Sequence, residues 1–151
     1  MLDTHQVGSL ARGQGPEPGP RLAGPVIFYD GECGLCDRFV QFVLRHDRLQ
    51  EFRFAPLQGE TFQPYRAQLG RRGENTVVLA DEAGLHLRSD AALRVLGRLG
   101  FPWSVVGRAG RLVPRWARDL GYRLVARVRL RLFGQVNACL LPGSAPGRFL
   151  P

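Results

Sequence analysis

Apolar positions change period several times along the chain, and each change marks an element. Val26-Ile27-Phe28-Tyr29 is a short β-branched and aromatic run ended by Asp30-Gly31, which predicts a buried strand and a tight turn. From Cys33 to about His46 the apolar residues Leu35, Cys36, Phe39, Val40, Phe42, Val43 and Leu44 recur at spacings of three and four, as in an amphipathic helix. Phe52 to Leu57 alternates and predicts a second strand, with Pro56 ending its ladder. Thr61 to Leu69 predicts a short helix broken near Pro64. Thr76 to Ala80 is a third strand, and the turn Asp81-Glu82-Ala83-Gly84 leads into a fourth, Leu85 to Arg88, as a hairpin. Ser89 stands where it would cap a helix through Leu99, with Asp90 in the first turn and Gly100 as its stop. Phe101-Pro102-Trp103 reads as an apolar turn packed on the core, and the stretch to Leu112 is less clear. Pro114 opens a last helix to about Phe133, with Trp116, Leu120, Leu124, Val128 and Phe133 near one face and arginines over the rest.

The order is strand, helix, strand, helix, strand, strand, helix, then an extra helix. A βαβ unit followed by a hairpin implies an α/β fold, a mixed four-stranded sheet flanked by helices, with an added Arg-rich C-terminal helix. Residues 1–24 are expected to be a disordered Gly/Pro-rich leader, 25–142 the domain, and 143–151 a flexible tail.

Composition narrows the class. A chain of 151 residues that is 44% hydrophobic and 23% charged is neither wholly disordered, collagen-like nor a coiled coil. Three cysteines are too few for a disulfide framework. No apolar run approaches the roughly 18–20 residues that span a bilayer, and the first residues lack the apolar core of a signal peptide. A cytoplasmic location is therefore expected, where thiols stay reduced. All 21 basic residues are arginine, against 13 acids, for a net charge of +8. Residues 101–151 hold nine arginines and the single acid Asp119, so the excess sits in the last third. Such a field attracts an acidic partner or an anionic membrane surface through Arg115–Arg131; the plainer reading is a core helix with a solvated arginine face. No motif points to specific nucleic-acid binding.

The chemistry centres on Cys33 and Cys36. At i and i+3 they share one face of a helix, at a spacing a disulfide accepts. The pair follows a strand and opens a helix, where free N–H groups and the positive dipole end favour a thiolate at Cys33. Cys36, one turn in, is expected to be more deeply buried and to resolve a mixed disulfide on Cys33. Asp30 is a candidate to take the Cys36 proton, or else simply a turn residue. Glu32 would oppose a thiolate. Half of a zinc site, completed by Cys139 or a histidine, and two inert cysteines remain open readings. Cys139 itself reads as a third thiol or as a small buried apolar residue, and Trp103 and Trp116 as core.

The stretch Tyr29-Asp30-Gly31-Glu32-Cys33-Gly34-Leu35-Cys36 resembles the signature of the DCC family of thiol-disulfide oxidoreductase-like proteins. Phe54-Ala55-Pro56-Leu57-Gln58-Gly59, Thr76-Val77-Val78-Leu79, Arg88-Ser89-Asp90-Ala91-Ala92-Leu93 and Leu99-Gly100-Phe101-Pro102-Trp103 match in order, as does Arg127 to Gly134 with Cys139. The resemblance implies a thioredoxin-like fold and a disulfide oxidoreductase activity with Cys33 and Cys36 as the redox pair. The chain departs from the pattern at Val128 and Leu130. It also lacks the proline that thioredoxins place before the strand facing the cysteines; Asn75-Thr76 stand there, and Thr76 is left to offer its hydroxyl to the thiolate. The function expected is exchange with a protein or small-molecule disulfide, with no cofactor and with electrons from an external thiol reductant. The rivals are a non-enzymatic module docking through the basic helix and a zinc-stabilised domain.

Overall fold

The computed structural model describes residues 22–74, 76–133 and 145–151. Strand β1 (Val26–Tyr29) is buried along its whole length, which explains its unbroken apolar run. It pairs in parallel with β2 (Arg53–Pro56) and antiparallel with β3 (Val78–Asp81), and β3 pairs antiparallel with β4 (Gly84–Leu87). The sheet order is β2-β1-β3-β4. Helix α1 (Gly34–His46) and helix α3 (Arg88–Arg98) bury Val40, Val43, Ala91 and Val95 against Ile27, Phe54 and Leu79 on one face. On the other face Phe62 and Tyr65, from a 3₁₀ turn and α2 (Gln63–Leu69), pack on Val26, Phe28 and Val78. Their rings stack on Phe28 at 5.0 and 5.4 Å. This mixed sheet covered on both faces is a thioredoxin-like fold.

Several expectations need correction. Pro64 does not break α2; it lies in the first turn, where its missing N–H costs nothing. Ser89 does not cap α3. The N-cap is Leu87, and the Ser89 hydroxyl donates instead to Asp119 at 3.4 Å. Residues 148–151 fall in the segment read as a flexible tail; in the structure they lie along β2. Phe54 N–H donates to Arg148 C=O at 2.8 Å and Leu150 N–H to Phe54 C=O at 2.7 Å, so the segment covers the open sheet edge. Arg148 also pairs with buried Asp47. Cys139 and most of the leader, residues 1–21, lie outside the described residues.

The stretch to Leu112 forms a helix, α4 (Trp103–Leu112), which crosses α3 at its glycines. A methyl group on Gly107 would lie 2.5 Å from Gly97 N and 2.7 Å from Leu93 O, both backbone atoms that cannot swing aside. The absence of side chains here lets the two backbones touch. Gly107→Ala is therefore expected to cost about 2 kcal/mol by forcing the helices apart. Urea denaturation checks it, with a lowered midpoint at unchanged slope as the expected result. Trp103 packs edge-on against Phe42 at 4.8 Å, as expected of a core residue. Trp116 does not: on α5 (Arg115–Phe133) it is 73% exposed, and Leu120, Leu124 and Leu132 are also exposed. Among the described residues, Trp116, Leu120 and Leu124 of the expected apolar face of α5 are thus left uncovered. Tyr122 and Ala126, on another side of the helix, border a cavity against α1 and α3.

Candidate active site

Asp30 follows the last residue of β1 and is 7% exposed. Its Oδ1 accepts the Glu32 N–H at 3.1 Å, and its carbonyl accepts the Cys33 N–H at 3.2 Å, which closes the turn into α1. The parallel register, with Tyr29 opposite Pro56, brings the chain after β2 alongside. From there the Gln58 Nε2 donates to the same Oδ1 at 3.2 Å. Both of these bonds fall on Oδ1, and among the described residues none is made to Oδ2.

Cys33 is the N-cap of α1, in an extended conformation, and its carbonyl accepts the Asp37 N–H at 3.0 Å. Its sulfur thus stands at the end of the helix where backbone N–H groups have no partner of their own. Cys36 lies in the first turn. The two are not disulfide-bonded, and the Cys36 thiol donates a hydrogen bond to the Cys33 sulfur. That bond holds the Cys36 proton far above the ordinary thiol range. Burial and the charges of Cys33 and Asp30 add to it, and the Asp30 backbone N–H works weakly against it. Exposure does not distinguish the two thiols as the sequence suggested, since each is 4% exposed. Protonation does.

An apolar cavity of about 180 Å³ adjoins Cys36, between Leu35 and Phe39 of α1, Ala92 of α3 and Tyr122 of α5. Thr76 precedes β3, and its hydroxyl shares a hydrogen bond of 2.6 Å with the Tyr122 hydroxyl. This pair ties α5 to the site. Sequence reasoning passed over Gln58 and Tyr122. The first was readable from the parallel β1–β2 register; the second required knowing where α5 docks. Among the described residues no three His, Cys, Asp or Glu side chains are grouped to hold a metal. No helix among them is long and apolar enough to cross a membrane.

The chain as a whole is similar to known proteins. The chain is 33% identical over 134 residues to the uncharacterized protein YuxK of Bacillus subtilis (strain 168), covering 87% of this chain and 97% of that protein. It is 31% identical over 119 residues to a chloroplastic DCC family protein of Arabidopsis thaliana, covering 78% and 69%. No solved structure matches. The model of the DCC1-like thiol-disulfide oxidoreductase family matches residues 27–135, from β1 through the end of α5, and so takes in the cysteine pair and all four strands. With its Asp30 turn, its paired thiols and that span of matched fold, the chain belongs to the DCC1-like thiol-disulfide oxidoreductase family.

Proposed function

We propose that the protein exchanges electrons with a disulfide substrate, Cys33 attacking and Cys36 resolving. The observation that carries this is the place of Cys33 as the N-cap of α1 with Cys36 in the first turn behind it, where unpartnered backbone N–H groups favour a thiolate on Cys33. The Cys33 thiolate attacks one substrate sulfur, the substrate S–S bond breaks, and the first thiolate leaves. Cys36 then loses its proton and attacks the Cys33 sulfur of the mixed disulfide. The second substrate thiolate leaves, and a Cys33–Cys36 disulfide remains. The pair gives up two electrons and the substrate disulfide becomes two thiols. An external thiol of a reducing compartment, the cytoplasm in our reading, returns the electrons.

Alkylation of the reduced protein near neutral pH should label Cys33 before Cys36, since only the thiolate reacts at a useful rate. Peptide mass spectrometry after brief exposure to iodoacetamide reads the order. Faster labelling of Cys36 would reverse the assignment. The decisive test of the function is a reversible Cys33–Cys36 disulfide with a measurable potential.

A second reading rests on α5. Exposed Trp116, Leu120 and Leu124 stand among Arg123, Arg127 and Arg131, a composition suited to an anionic lipid surface. In that reading the protein docks without chemistry, and binding to anionic vesicles survives replacement of both Cys33 and Cys36 by serine.

A further inference from the structure

A charged cleft of about 540 Å³ lies beside the apolar cavity, and Arg88 lines both. Arg72, Arg115 and Arg118 also line the cleft, together with the carboxylates of Asp90 and Asp119. The Arg118 side chain is only 11% exposed. Its Nε and Nη1 are buried and make no hydrogen bond among the described residues. Its ion pair to Asp90 is long, 3.8 Å from Nη1 to Oδ1, and Asp90 is engaged more closely by His86 at 3.2 Å and Arg94 at 3.3 Å. A buried guanidinium left short of acceptors is costly unless something else supplies them. Arg88 has φ +57°, a conformation that non-glycine residues adopt rarely and that surrounding contacts must hold. Its N–H is bound to the carbonyl of Val77, a residue that lines the apolar cavity.

Building on the redox reading above, we infer that the substrate is a small disulfide bearing a carboxylate. Its sulfur meets the cysteine pair, its hydrocarbon part occupies the apolar cavity, and its carboxylate binds Arg88 and Arg118. Both thiols are nearly buried, which favours a small molecule over a folded protein. The cleft has four guanidiniums to two carboxylates, which favours an anion. The chemistry is the exchange already written, with the carboxylate unchanged throughout.

The test uses the reduced full-length protein and two disulfides of similar length, 3,3′-dithiodipropionate and bis(2-hydroxyethyl) disulfide. Each rate constant for oxidation of the pair is divided by that of free dithiothreitol with the same disulfide, which removes intrinsic reactivity. The wild type should prefer the dicarboxylate by about tenfold or more, the worth of one charge-assisted hydrogen bond. Arg118→Gln and Arg88→Gln should each lose most of that preference. Arg88 is solvent-exposed, so its variant remains informative if Arg118→Gln folds poorly. Equal normalised rates in the wild type, or a preference that survives both substitutions, would overturn the inference while leaving the redox function intact. If neither disulfide oxidises the pair, the inference fails, and the redox reading fails with it only if no reversible Cys33–Cys36 disulfide forms.

Discussion

Replacing Cys36 by serine should reduce turnover on the order of 1000-fold or more and leave Cys33 covalently joined to its substrate. A serine hydroxyl can donate the hydrogen bond that Cys36 gives to the Cys33 sulfur. It cannot attack the mixed disulfide. The site is buried, but serine is nearly isosteric and keeps a partner, so the fold should tolerate it. Cys33→Ser has a different outcome. It removes the helix N-cap thiol and leaves Cys36, whose proton is held by burial, so neither capture nor turnover should occur. Intact-mass spectrometry after incubation with a disulfide distinguishes the two variants. An adduct on Cys33→Ser and none on Cys36→Ser would exchange the roles. Full turnover by Cys36→Ser would mean that an outside thiol performs the resolving step.

Much of this site is legible in the sequence because it is local. Asp30, Cys33 and Cys36 lie within seven residues, and a strand followed by a helix places them with no long-range information. The four strands are legible for a related reason: β1 and β3 lie in the middle of the sheet, and their apolar runs record burial on both faces. What was not legible depends on contacts distant in sequence. Helix α4 carries Gly107 and Gly110, poor helix formers whose place in a helix is explained only by their contact with α3. Leu93 and Gly97, the residues they touch, lie on another element. The reading of Trp116 as core failed because an apolar periodicity shows which face is apolar but not whether anything covers it. Residues 148–151 look like a tail, and only the open edge of β2 gives their backbone groups partners. The Arg118 cleft needed α3 and α5 side by side, 28 positions apart at Asp90 and Arg118.

The arrangement of Asp30 separates its structural from its chemical work, and Asp30→Asn should do so experimentally. An asparagine can present its carbonyl oxygen to Glu32 N–H and Gln58 Nε2 as Oδ1 does now, so the turn into α1 should survive with about 1 kcal/mol or less lost. The other oxygen becomes an amide and can no longer accept a proton. In the wild type the Cys36 proton is strongly held and must leave before resolution, and the Asp30 carboxylate is a nearby charge that acts on that thiol. Losing a general base typically costs on the order of 100-fold, and that loss should fall on resolution of the mixed disulfide. Attack by Cys33 should change little. The two steps separate in stopped-flow experiments that follow formation and decay of the mixed disulfide. Resolution by Asp30→Asn should also accelerate as pH rises, because hydroxide must then take the proton. Equal resolution rates in both proteins, with only a lowered Tm in the variant, would leave Asp30 as a residue that holds the turn.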